Sequence, residues 1–211
     1  MMPARRGALL FLIVMPLAVG AARAGSLIEG LQERLSGQGP ALRGDFEQQR
    51  QLRGARQPLV SRGEFLIVRE RGVLWRTREP VASALVVTPQ ALRVMGEDGR
   101  LLRQLDAQRL PGLREFTQLM LGLLAGDLGP LTSQFRIDGS LNGAHGWTLV
   151  LEPLSGAVAS QMARIRVEGD RYVQQVIIEE SAGDQTVIRF SSQRAGEASA
   201  VERTLLDPKG A

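Results

Sequence analysis

Between Ala41 and Leu105, and again between Gln134 and Ser192, apolar and polar residues alternate in short runs broken by turn-forming sequences. A period of two is the mark of a β-strand, whose successive side chains leave opposite faces. The links are far shorter than the dozen or more residues a parallel crossover needs, so neighbouring strands must run antiparallel. Strands are expected near 41–56, 60–70, 73–79, 82–88, 91–96 and 100–105, then near 134–141, 146–153, 161–169, 172–180 and 185–192. Turns fall at Pro58, Glu70-Arg71-Gly72, Pro80, Thr88-Pro89, Glu97-Asp98-Gly99, Gly169-Asp170 and Ala182-Gly183-Asp184. The run at 161–169 is the cleanest: Ala163, Ile165 and Val167 alternate with Arg164, Arg166 and Glu168, a half-buried strand.

Two stretches break the alternation with helical spacing. Ser26-Leu27-Ile28-Glu29 is a capping-box pattern, followed by an apolar stripe of Leu27, Ile28, Leu31 and Leu35 and ended by Gly37-Gln38-Gly39-Pro40. After Pro111-Gly112, Leu113, Phe116, Leu119, Met120, Leu123 and Leu124 recur at three and four residues, a wide apolar face over 111–125. From Ala195 the chain reads as a polar tail. About eleven strands and two helices, with no linker or repeat, predict one mainly β domain with some α structure. It is a single curved antiparallel sheet, too large to stay flat, with the apolar helix across its mouth. By alternation, Phe65, Ile67 and Arg69 share one face of the second strand, and Glu64 and Leu66 the other.

Composition narrows the function. The formal charge of +4 and a pI near 10.7 suggest a nucleic-acid partner. Much of that charge sits in residues 1–24, where Arg5 and Arg6 precede an apolar run from Gly7 to Gly20 and a small-residue Ala22-Arg23-Ala24. This is the pattern of a cleaved secretory signal peptide, the run being shorter than the roughly 20 residues of a membrane span; a retained anchor is the rival reading. Removing Arg5, Arg6 and Arg23 takes 26 basic residues to 23 against 22 acidic, a net charge of about +1. With no Arg run interleaved with aromatics, nucleic acid is excluded as a partner. Export without a single cysteine predicts the periplasm, with residues 25–211 as the mature domain.

Enzymatic chemistry has little to work with. The one histidine, His145, lies in the turn sequence Asn142-Gly143-Ala144-His145-Gly146, and Glu179-Glu180 point to opposite faces of a strand. No nucleophile elbow, phosphate loop or dinucleotide fingerprint occurs. The expectation is a protein with no catalytic residues, no metal and no cofactor.

Phe46-Glu47-Gln48 opens a run of short motifs. Gly63-Glu64-Phe65-Leu66-Ile67-Val68-Arg69 follows, with Trp75 twelve residues after Gly63 and Pro80 beyond. The chain closes on Ala163-Arg164-Ile165-Arg166-Val167, Val176-Ile177-Ile178 and Gly183-Asp184-Gln185-Thr186-Val187-Ile188-Arg189-Phe190. In their order and spacing, across nearly the whole mature chain, these residues resemble the LolA family of periplasmic lipoprotein carriers. The resemblance implies an open, incomplete β-barrel closed by a helical lid. It implies acyl chains as cargo, an inner-membrane transporter as donor and an outer-membrane receptor as acceptor. It also carries the family's functional arginine onto Arg69, which would hold the lid by bonds to helix backbone. The departures are Glu70 where the family often has Pro, an Ala91-Leu92-Arg93-Val94-Met95 strand without the family's aromatics, and a short ending at Pro208-Lys209-Gly210-Ala211. They leave the cargo open between lipoproteins and another lipid.

A carrier has a physical requirement of its own. Each acyl methylene exposed to water costs about 0.8 kcal/mol, so the protein must offer an apolar cavity nearly as good as the bilayer. The residues expected to meet cargo are Phe65, Ile67 and Trp75 on the sheet and Phe116, Leu119, Met120 and Leu123 on the helix, with Arg69 as the latch. Each has a plainer alternative: Trp75 and Trp147 as core, 111–125 as a core helix, Arg69 as a strand-end side chain reaching water. A monomeric carrier of lipidated protein or other lipid is the leading expectation. A lipid-responsive sensor or adaptor on the same fold, or a structural envelope protein without ligand, are the alternatives.

Overall fold

The computed structural model describes residues 19–35, 39–106, 122 and 128–207. The helix expected over 111–125, with Phe116, Leu119, Met120 and Leu123, lies outside the described residues except for Gly122, which is helical and buried. Eleven strands follow the sequence pattern closely: β1 Ala41–Gln51, β2 Leu59–Val68, β3 Gly72–Glu79, β4 Ser83–Val87, β5 Ala91–Gly96, β6 Leu101–Asp106, β7 Phe135–Asn142, β8 Gly146–Pro153, β9 Met162–Gly169, β10 Val173–Glu180 and β11 Gln185–Gly196. All belong to one sheet in the order β6-β5-β4-β3-β2-β1-β11-β10-β9-β8-β7, with every neighbouring pair antiparallel. The sheet is not closed, and its two meanders are joined where the first strand pairs with the last.

The described helices are α1 Val19–Leu35, α2 Gly156–Gln161 and α3 Ala200–Leu205. The expected polar tail is corrected in two ways. β11 runs on to Gly196, and α3 follows it, started by a full capping box in which Ser199 and Glu202 exchange side-chain and backbone bonds. β1, in turn, stops at Gln51, because the Gln51 side chain donates to the Leu52 and Ala55 carbonyls and folds 52–55 into a turn.

Alternation divides the sheet into two faces. The inner face gathers one large cluster: Leu42 and Phe46 of β1, Phe65 and Ile67 of β2, Val73 and Val87, and Leu149, Leu151, Ile165, Val167, Val176, Ile188 and Phe190 of the second meander. Leu31 and Leu35 of α1 join it, as do Leu128, Leu131 and Val158. Each such burial contributes about 1.5–3 kcal/mol, so this cluster holds the fold together. The outer face carries a smaller cluster of Ala41, Leu66, Val68, Leu74 and Val86, covered by Ala198, Leu205 and Leu206 around α3. Further along, the outer face of β7–β10 bears a ladder of exposed charges: Arg136, Glu152, Arg164 and Glu179 pair in sequence at 3.5, 3.1 and 4.0 Å. Such exposed pairs contribute little stability and serve to keep this face wet.

Candidate functional site

Four of the nine aromatic residues meet on the inner face where β3, β2, β1 and β11 lie side by side. Phe46 stacks on Trp75 with ring centroids 3.8 Å apart, and Phe65 meets Phe190 edge-on at 5.2 Å. Two glycines make this possible. A Cβ on Gly63 would lie 1.9 Å from the Arg76 carbonyl oxygen and 2.9 Å from the Phe46 ring, and one on Gly44 would lie 2.9 Å from the Phe65 ring. With no side chain at either position, each ring lies flat across the neighbouring strand.

Around this aromatic centre the inner face differs from end to end. In the second meander Leu149, Leu151, Ile165 and Val167 are 0–1% exposed. In the first, Trp75, Leu85 and Leu92 remain half-buried beside the cluster, as does Val94. These form one patch, because Trp75 pairs with Leu85 across β3–β4 and Leu85 with Val94 across β4–β5. The expected cavity residues Phe65 and Ile67, each 2% exposed, form its floor, and Trp75 its half-open wall.

Arg69 lies one residue beyond the end of β2 and is exposed. The strand ends at Val68, whose carbonyl accepts from the Arg71 N–H at 3.1 Å, and Glu70 takes a left-handed φ of 62°. This turn puts the Arg69 side chain in solvent, while its backbone N–H donates to the Pro40 carbonyl. The strand ends two residues earlier than the sequence suggested.

The chemistry foreseen for Arg69, a guanidinium donating to carbonyls at a helix–sheet contact, occurs at two other arginines. Arg93 of β5, 8% exposed on the outer face, donates to the carbonyls of Leu205 and Asp207 at 2.6 and 3.0 Å, at the C-terminal end of α3. Those carbonyls lack helical partners and carry the negative end of the dipole, so they suit a buried cation. Arg34 of α1 donates to the carbonyls of Asn142, Gly143 (2.9 Å) and Gly146 in the β7–β8 hairpin. It fixes α1 against β7, where Gly30 sits so close to Leu141 that a Cβ would come within 2.6 Å of it. Alternation placed Arg93 inside a strand, but only the fold brings the helix end over it.

His145 is exposed in the β7–β8 turn. Among the described residues no group of His, Asp or Glu is placed to hold a metal ion. No described helix is long and apolar enough to cross a membrane.

The pattern of outer membrane lipoprotein carrier protein LolA matches residues 39–202 of the sequence. The chain belongs to the LolA family. Comparison with curated proteins gives no match. Among solved structures, a DUF1329 family protein from Desulfovibrio piger has a similar fold, with a TM-score of 0.51 at 10% identity, over 86% of this chain and 95% of that one. A LolA superfamily protein from Nitrosomonas europaea is similar at a TM-score of 0.48 and 13% identity, over 84% and 95% of the two chains. A chain of the Pseudomonas aeruginosa MucA/MucB complex is similar at 0.44 and 15%, over 84% of this chain and 60% of that one. The open eleven-stranded antiparallel sheet is thus a LolA-like carrier fold.

Proposed function

We propose that the protein is a periplasmic carrier that takes up the acyl chains of a lipoprotein or related lipid on its inner face and releases them at the outer membrane. The observation that carries this reading is the continuous half-exposed patch of Trp75, Leu85, Val94 and Leu92 beside an otherwise buried core. A contiguous apolar patch of this kind marks a place for an apolar partner. Membership of the carrier family supports acyl chains as that cover. In this reading residues 1–24 direct export, and the helix expected over 111–125 closes over the loaded patch. An inner-membrane transporter supplies the cargo and an outer-membrane receptor accepts it.

Brominated acyl chains quench a tryptophan only on contact, and the two tryptophans report different places. Trp75 borders the patch, whereas Trp147 is 3% exposed in the second meander with its indole N–H on the Asp170 carbonyl. A brominated diacyl lipopeptide is expected to quench a Trp147→Phe variant, which keeps Trp75, and to spare a Trp75→Phe variant. Quenching of neither variant, together with no acyl lipid co-purifying by mass spectrometry, would overturn the reading in favour of a structural protein.

A further inference from the structure

The outer face behind this patch carries a second site. Two cavities of about 290 and 450 Å³ adjoin there, sharing Glu64, Leu74, Arg76 and Arg78 in their walls. The larger is floored by Leu74, Ala84, Met95 and Leu205, beside α3. The smaller is lined by charge: Arg43, Arg76, Arg78 and Arg194 against Asp45, Glu64 and Glu202.

Most of these charges are matched. Arg43 pairs with Glu202 at 3.4 Å, and Glu64 takes both Arg76, at 3.4 Å, and Arg78. Two are not: among the described residues, Arg194 and Asp45 have no hydrogen-bond or ion-pair partner, nor do they pair with each other. Their settings are unfavourable as well. Arg194 stands directly opposite Arg43 across β1–β11, and Asp45 directly opposite Glu64 across β1–β2. Like charges in register repel. They create a positive pole on β11 and a negative pole on β1 at diagonal positions, roughly 7–8 Å apart.

The backbone is bent to produce this arrangement. Between Asp45↔Ser191 and Arg43↔Arg194 the β11 register slips by one residue, and Ser192 at the slip has a left-handed φ of 54°. Without the bulge Gln193 would face Arg43, and Arg194 would project from the other side of the sheet. A strained residue therefore places an unpaired guanidinium against a like charge at a cavity wall. Such a residue persists only where its surroundings hold it, and here it sets the side on which Arg194 projects.

We infer that this groove binds a zwitterionic single-chain lipid. Its phosphate rests on Arg194 and Arg43, its ammonium on Asp45, and its acyl chain along the partly buried Ala84, Met95 and Leu205. Both poles are then neutralised, and an apolar channel leads away from them on one side only. The site is on the opposite face from the proposed carrier patch and does not depend on it.

The probe is lysophosphatidylethanolamine below its micellar concentration, titrated into the whole protein while backbone amide resonances are followed. Saturable shifts are expected at Ser192 and Arg194. Arg194→Gln and Asp45→Asn are each expected to weaken binding about tenfold, the worth of one charge-assisted bond. Lysophosphatidylglycerol, which lacks the ammonium, is expected to bind about tenfold more weakly and to be indifferent to Asp45→Asn. Shifts confined to the inner face around Trp75, with both variants binding like the unaltered protein, would overturn this site and leave the carrier reading standing. No saturable shift at Ser192 and Arg194 would overturn it equally. Both substituted side chains lie on the surface of the sheet, so loss of binding is not confounded with loss of fold.

Discussion

The two ends of the sheet are covered on opposite faces. Around β7–β9, the cover is inside: α1 lays Leu31 and Leu35 on the inner cluster and is tied down by Arg34, while the outer face carries a ladder of paired charges. Around β2–β5, the cover is outside: α3 and Leu206 seal Leu66, Val68, Leu74 and Val86, and Arg93 holds the helix end. There the inner face keeps Trp75, Leu85 and Leu92 half-exposed. One arm of the sheet is thus a closed core, and the other is braced from behind with its inner face half-buried among the described residues. The same strand pattern is fully buried at one end and half-exposed at the other, and under the proposed function that second end is the one that binds.

The comparison can be broken most sharply by truncating a matched pair of leucines. Leu151→Ala, in the closed arm, is expected to cost about 2–5 kcal/mol, since the side chain is fully buried and its cavity cannot collapse. Leu85→Ala, in the half-buried arm, is expected to cost only about 1 kcal/mol but to weaken acyl binding roughly fivefold. Urea unfolding and a lipopeptide titration measure the two quantities. Equal stability losses with unchanged binding would show that both arms are core.

A smaller effect sharpens the inner cover. Arg34→Gln removes charge-assisted bonds to the hairpin carbonyls and is expected to cost about 1 kcal/mol, its partial exposure limiting the loss. Faster amide exchange should appear in β7–β8 and not in β3–β5. Uniform exchange across the sheet would mean that α1 does not act on one arm alone.

The smallest effect concerns the outer brace. The Ser199 backbone N–H, donating to the Glu202 carboxylate, holds that carboxyl below its usual value of 4.5, with Arg43 adding to the effect. A lowered folded value means that the capping box stabilises α3 above the unfolded value. That contribution is lost as pH falls through the folded one. Amide signals of residues 200–205 are therefore expected to broaden on acidification below about pH 4.5 before those of α1 do. Ser199→Ala should abolish the difference, and a wild-type α3 indifferent to acid would contradict it.

Much of this was legible in the residues because a strand's two-residue period is local. Eleven strands, their turns and the inner placement of Phe65 and Ile67 follow from alternation alone. The expected strand over 60–70 nevertheless ran past its end, since a turn closed by one backbone bond at Val68–Arg71 leaves no mark on polarity. Arg69 therefore lies in the exposed turn beyond the strand. The capping box at Ser199–Glu202 was written in the sequence, but its surroundings read as a tail because so few apolar residues follow it; the like pattern at Ser26–Glu29, expected to open a helix, lies inside α1, which already begins at Val19.

Alternation and the motif order therefore determined an antiparallel sheet of the carrier family. Tertiary structure decided where the helices settle, that the buried cation is Arg93, and that a single slipped register aims Arg194 outward. Periodicity depends on neighbours along the chain, whereas a helix seat, a carbonyl partner or a bulge depends on residues a hundred or more positions away. Only folding brings those together.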